Sequence, residues 1–392
     1  MKLVIVGGVA GGATAAARAR RLSEKADITL FERGQYVSFS NCGLPYYIGG
    51  KIESRNDLFI ASPERLEARY RLKVRRSQEV TAIDRTAKEV EVRDLASGRI
   101  YREPYDRLIL SPGARPLTPP LPGVDLDTVF TLRDVPDADS IKGNLGRKNA
   151  RSAVVVGGGF IGLEMVENLA RLGVRVTVIE MLDQVLPQLD FEMAAIVEEQ
   201  LRQKGVELLL GDAVQSFRKK GERTVVSTAS GSEIEADTVI LSIGVRPEKA
   251  LAEAAGLALG TRGGILVDET LRTSDPDIFA IGDAIEVKDY VSGESVLIPL
   301  AGPANRQGRI AADNALGRNE TFKGVVGTSV VKVFDMVAAS TGDNEKFLKR
   351  IAVPTSGPSP IPITMPPTTR GRREWRSNSF SAREREGFWV PK

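Results

Sequence analysis

The sequence predicts an α/β chain of two Rossmann-like domains, one inserted in the other, followed by the start of a C-terminal α+β interface domain. Three observations carry this. A strand–glycine turn–helix–strand unit occurs twice, about 150 residues apart. Each copy ends its second strand on an acid, Glu32 in the first and Glu180 in the second. Two related breaks, SPGARP at 111–116 and SIGVRP at 242–247, mark where the chain leaves the first domain and returns to it.

The elements follow in order. Residues 2–6 are apolar and β-branched, as a parallel strand buried on both faces requires. Residues 7–12 form a glycine turn, 13–23 a helix and 28–32 the second strand. Strands are expected at 89–92 and 108–110 before the first crossover. The second unit repeats the plan with a strand at 153–156, a turn at 157–162, a helix at 163–172 and a strand at 176–180. A strand at 238–241 precedes the return crossover, and another at 277–281 closes on Gly282-Asp283. The expected domains are 1–113 with 244–321, the insert 114–243, an interface remnant at 322–353 and a tail at 354–392. That tail holds seven of the 21 prolines and both tryptophans without periodicity, so disorder is expected there.

Composition narrows the chemistry. The 392 residues contain one cysteine, Cys42, and no histidine. A disulfide framework, a cysteine metal cluster, a histidine triad and a histidine zinc site are excluded, and no metal is expected. A lone thiol fits a reducing compartment, so a cytoplasmic location is expected. Neither a signal peptide nor a membrane span is expected. Net charge is +3, but residues 351–392 carry seven Lys/Arg against three Glu, leaving the rest near −1. The basic pI therefore belongs to the tail and points to no nucleic-acid partner.

Glycine turns of this type let the backbone approach a pyrophosphate, whose charge meets the free N–H groups of a helix start. The second turn carries the full fingerprint with Gly157, Gly159 and Gly162; the first has Gly7, Gly8, Gly11 and Gly12 with Val9 at the middle position and Ala10 after it. A carboxylate at Glu180 can bond ribose hydroxyls and would repel a 2′-phosphate, which favours NADH over NADPH, although Arg175 stands nearby. Two nucleotide sites suggest a resident flavin and a transient nicotinamide. Asp283, after Gly282, suits an extended polyol such as a ribityl chain. Pro45, just after Cys42, suits a first helical turn. Arg18 and Arg21 share a helix face.

The runs GGVAGG, SFSNCGLPYYIGG, GGGFIGLE, DIFAIGDA and PLAGPANRQGRIAADN resemble the FAD-dependent pyridine nucleotide disulfide oxidoreductases, and within them the coenzyme A disulfide reductases, over roughly residues 1–350. The resemblance implies that the first turn, Glu32, Gly113, Gly282, Asp283 and Ala301 hold FAD. It implies that Gly157, Gly159, Gly162, Glu164, Glu180 and Gly244 hold NAD(P)H, with Phe160 as the aromatic gate over the flavin. Cys42 would be the redox nucleophile, and Thr14, Arg18, Arg21, Ser38 and Asn41 the coenzyme A contacts.

With no second cysteine, the oxidised state must be a mixed disulfide with a small thiol or a sulfenic acid. The first gives a coenzyme A disulfide reductase. The second gives an NADH oxidase or peroxidase, whose members usually carry a histidine where this chain has Ala10. Reduction of a polysulfide or persulfide by the same thiol stays open, and so does an inactive truncated flavoprotein. The resemblance implies a homodimer built through a C-terminal domain, yet the sequence leaves the pattern after about Val353. Read one base out of frame, Met365-Pro366 must encode Ala and Phe388-Trp389-Val390 must encode Leu-Gly, both as expected of a relative. A frameshifted tail is therefore expected, and with it a chain lacking its dimer-forming domain.

Overall fold

The computed structural model describes residues 1–354 and, beyond them, only the backbone of the strand segments Thr355–Ser356, Ile361–Thr364, Glu374–Ser377 and Ser381–Ala382. The rest of the tail lies outside the described residues. The chain divides into two compact units. The first comprises Met1–Pro119, Phe130–Lys148 and Ile243–Val325; the second comprises Pro120–Val129, Asn149–Ser242 and Val326–Lys392. Among the described residues no helix is long and apolar enough to cross a membrane.

The first unit is built on a five-stranded parallel sheet in the order Ile278–Ala280, Arg107–Leu110, Lys2–Val6, Asp27–Glu32, Lys73–Arg76. Leu3, Val4 and Ile5 at its centre are at most 1% exposed, which is why the strand reads as an unbroken apolar run. The edge strand is Lys-Val-Arg-Arg, whose charges discourage further pairing. A three-stranded antiparallel sheet, Gln78–Asp84, Glu89–Asp94 and Ile100–Pro104, belongs to the same unit. The helix Ala10–Leu22 lies against the helix Ala301–Ala315. Small residues permit this: a side chain at Gly308 would stand 2.5 Å from the Gly11 carbonyl oxygen.

The helix Val135–Lys148 corrects the expected insert of 114–243, because it belongs to the first unit. Asp139 and Lys142 tie it there, to Arg55 and Tyr47. The crossovers form an antiparallel ribbon, Ala114–Pro116 with Val245–Pro247, opened by Gly113 at φ 76° and Gly244 at φ 110°.

The second unit repeats the parallel core in the order Glu207–Leu210, Arg175–Glu180, Ser152–Val156, Thr238–Leu241. Its antiparallel sheet is Val214–Lys220, Arg223–Thr228 and Glu233–Ala236. The hairpin Ser329–Val333 and Met336–Ser340 is bound to the helix Phe160–Arg171 through the buried Glu167. That carboxylate accepts from Lys332 Nζ at 2.5 Å and from the Phe334 N–H at 2.9 Å, so its charge is compensated. Both glycine-turn helices start three residues earlier than expected, at Ala10 and Phe160. Their first turns take in glycines that propensity assigns to a loop, because close backbone approach there outweighs the entropic cost.

Candidate active site

Each glycine turn is shaped by two close approaches. Gly7 and Gly157 have φ of 95° and 107°, in the region that favours glycine. A Cβ on Gly12 would stand 1.8 Å from the Gly7 carbonyl oxygen, and one on Gly162 would stand 2.0 Å from that of Gly157. Gly159 differs: its φ is −78° and an added Cβ would meet nothing within 4 Å. The chain's own packing does not require glycine there, and the open space in front of it can admit an outside group. Val9 takes the same position in the first turn at φ −98°, and that is why the imperfect fingerprint still forms the turn.

The acids complete both cradles identically. Glu32 Oε2 accepts from the Gly8 N–H at 2.8 Å and Oε1 from the Gly34 N–H at 2.8 Å. Glu180 Oε2 accepts from the Gly158 N–H at 2.7 Å and Oε1 from the Leu182 N–H at 2.9 Å. Six residues past each acid the chain folds back on the turn. The Ser38 N–H donates to the Gly8 carbonyl and the Leu186 N–H to the Gly158 carbonyl, both at 2.9 Å. Ser38 at φ 49° and Leu186 at φ 46° are left-handed without being glycine. The preceding valine presses on the turn in each case: a Cβ on Gly8 would stand 2.7 Å from Val37 Cγ1, and one on Gly158 2.9 Å from Val185 Cγ1. The sequence repeat thus continues into a clamp that motif reading missed, because its signal is only a valine five residues after an acid.

In the first unit the Gly282 N–H donates to Oε1 of the buried Gln307 at 2.8 Å, which fixes the turn carrying Asp283. Burial pushes the Asp283 carboxyl up to about 6, with Arg133 acting in the opposite direction. Arg133 is a second residue that sequence reading missed. Its Nη2 donates to the Pro112 carbonyl at 3.3 Å, while Nη1 is buried with no hydrogen-bond partner, 3.6 Å from Glu248 Oε1. A buried guanidinium nitrogen with no hydrogen bond of its own, in the unit that carries the first glycine turn, fits an anionic group such as a diphosphate. These features fit FAD in the first unit, and the open cradle at Gly159 with Glu180 fits NAD(P)H in the second.

Cys42 is exposed and sits in the single 3₁₀ turn Asn41–Gly43, directly before the short helix Leu44–Ile48 with Pro45 in its first turn. The five coenzyme A candidates do not share one fate. Thr14 Oγ1 donates to Asn305 Oδ1 at 2.7 Å. Arg18 is committed to the buried Asp313, with Nη2 donating at 2.9 and 3.1 Å and Nε at 3.3 Å to each oxygen. Arg21 instead lies over the Tyr70 ring and donates to its hydroxyl at 3.1 Å, so the two arginines have different partners. Asn41 is exposed and its amide donates to the Arg133 carbonyl at 3.2 Å. Ala301 opens the helix Ala301–Ala315, and Phe160 and Glu164 lie half-buried in the first turns of the helix Phe160–Arg171.

Comparison with known proteins gives the family. The family model for pyridine nucleotide-disulphide oxidoreductases matches residues 1–308. The coenzyme A disulfide reductase of Staphylococcus haemolyticus is 34% identical over 342 residues, which is 87% of this chain and 76% of the relative. An NADH oxidase of Methanocaldococcus jannaschii is 34% identical over 344 residues, 87% of this chain and 76% of the relative. Among solved structures, reduced CoADR-RHD of Bacillus anthracis is 50% identical with a TM-score of 0.90, covering 93% of this chain. The chain spans 65% of the length of that protein.

Proposed function

The chain belongs to the pyridine nucleotide-disulphide oxidoreductase family, and on that premise we propose that it is an FAD-dependent NAD(P)H oxidoreductase that reduces coenzyme A disulfide through Cys42. The observation that carries the reading is the exposed Cys42 on the same unit as the Glu32, Arg133 and Asp283 cradle, with no second cysteine in the chain. We assign FAD to 1–113 with 244–321 and NAD(P)H to 114–243, apart from the helix Val135–Lys148, which serves the flavin unit. When bound, FAD relays two electrons from NAD(P)H to the sulfur bond.

The chain's own residues do the rest. The Cys42 thiolate attacks one sulfur of the disulfide, forming a mixed disulfide and expelling one coenzyme A thiolate. Two electrons and a proton then split that bond, returning the Cys42 thiolate and releasing the second coenzyme A as a thiol. Arg21, Thr14, Ser38 and Asn41 are the proposed contacts to the coenzyme A body. Arg18 acts through Asp313 as a brace between the two helices. Glu180 favours NADH because its carboxylate would repel a 2′-phosphate. A sulfenic acid cycle at Cys42 is the competing reading, supported by the NADH oxidase relative. Replacing Cys42→Ser tests the assignment: the flavin should stay bound and be bleached by NADH, while turnover of coenzyme A disulfide is lost. Retained turnover in that variant would exclude Cys42 as nucleophile.

A further inference from the structure

The segment that carries Cys42 is short, and part of its anchoring comes from a helix distant in sequence. The helix Leu44–Ile48 has five residues, far below the length at which a helix is stable alone, and its carbonyls at Pro45, Tyr46 and Tyr47 are met by the N–H groups of the turn that follows, Gly49 to Ile52. Further side-chain anchors come from the helix Val135–Lys148. The Lys142 ammonium donates to the Tyr47 carbonyl at 3.0 Å and stands 3.9 Å from the centre of the Tyr47 ring. The Tyr47 hydroxyl donates to Asp139 Oδ1 at 3.1 Å. Asp139 is held in turn by Arg55, whose Nε donates to its two oxygens at 2.8 and 3.1 Å. Arg55 also donates to the Tyr36 hydroxyl at 2.7 Å and stacks on that ring at 4.7 Å. At the other end of the cysteine segment, the Asn41 amide is bound to the Arg133 carbonyl.

We propose that Arg133–Lys142 is a strap that fixes Cys42 relative to the flavin cradle, with Asp139 and Lys142 as positioning residues for the sulfur chemistry. The strap reaches the cysteine segment on both sides, through Asn41 just before Cys42 and through Tyr47 at the end of the following helix. The same strap begins at Arg133, whose guanidinium donates to the Pro112 carbonyl and stands 3.6 Å from Glu248, so one covalent segment joins the cysteine segment to the residues proposed to hold the flavin. Attack on a sulfur bond requires alignment, and a displacement of about 1 Å can cost roughly a hundredfold in rate. Hydride delivery from the nicotinamide does not involve Cys42 and should be indifferent to the strap.

The inference rests on Cys42 being the redox nucleophile, and the test separates the two. Lys142→Met removes the donor while keeping length, and Tyr47→Phe removes only the hydroxyl. Both are measured as full chain with flavin bound, against wild type. The rate of flavin bleaching by NADH should stay within about twofold. Reoxidation by coenzyme A disulfide should slow by about tenfold or more in Lys142→Met, while alkylation of Cys42 by iodoacetamide, which needs no alignment with the flavin, should speed up as the segment loosens. The Tyr47→Phe effect should be smaller in the same direction, and Lys142→Arg should restore most of the loss. Equal loss in both half-reactions, or no change in either, would overturn the strap. Failure of wild type to react with coenzyme A disulfide, with alkylation still sensitive to Lys142, would instead count against the substrate and leave the strap standing.

Discussion

Substitution of Gly158 by alanine should weaken NADH binding without touching the flavin, and the size of the effect follows from the clamp. The new Cβ would stand 2.9 Å from Val185 Cγ1, 3.2 Å from its Cβ and 3.3 Å from its Cα, against an optimum of about 3.5 to 4.0 Å between carbons. Val185 is fully buried and cannot swing away. Its loop is pinned by the Leu186 N–H on the Gly158 carbonyl and by the Gln184 amide, which donates to the carbonyls of Val185, Leu186 and Leu189 at 3.3, 3.4 and 3.1 Å. Overpacking of this kind costs about 1–3 kcal/mol. If the cost is met by moving the loop off the turn, NADH affinity falls by about 5- to 150-fold. The cycle of Gly158→Ala, Val185→Ala and the double variant isolates the contact: Val185→Ala removes the 2.9 Å contact and leaves only those at 3.2 and 3.3 Å, so the double variant should recover part of the affinity. KM for NADH in flavin bleaching is the assay, with bound flavin absorbance as control. Gly8→Ala, whose Cβ would stand 2.7 Å from Val37 Cγ1, should show the opposite pattern and lose flavin. A double variant as weak as Gly158→Ala, or flavin loss in Gly158→Ala, would refute the clamp.

Two other outcomes are expected. Glu180→Ala removes the carboxylate held by the Gly158 and Leu182 N–H groups, and should move the NADH to NADPH ratio of kcat/KM toward NADPH by at least about tenfold, read by steady-state kinetics with each nucleotide. In the flavin-free protein, Asp283 is protonated more readily when folded than when unfolded, so its contribution to stability falls as pH rises from the ordinary carboxylate range through about 6. The loss is about 3 kcal/mol at most, and Asp283→Asn should flatten that part of the denaturation profile against pH.

Much of the fold is legible because its signals are local. The buried strands at Lys2–Val6 and Ser152–Val156, the glycine turns and the acids Glu32 and Glu180 each announce themselves within a few residues. What the sequence hides depends on distant partners. Nothing near Val135–Lys148 states that its Asp139 meets Arg55, so the helix reads as part of the insert that surrounds it. Arg18 and Arg21 share a helix face by spacing, but Asp313, 295 residues away, claims one of them. Arg133 carries no motif, and its importance appears only once Pro112, Glu248 and Asp283 are folded around it. Val37 and Val185 are ordinary apolar residues until the glycine opposite each is seen to need them close.

The central claim is that Cys42 exchanges electrons with a sulfur bond carried by coenzyme A. Anaerobic titration of the purified holoprotein with NADH, followed by addition of coenzyme A disulfide or peroxide in separate samples, tests it most directly. The account predicts that flavin absorbance returns on adding coenzyme A disulfide, with two coenzyme A thiols released for each NADH consumed. Reoxidation by peroxide alone would contradict it.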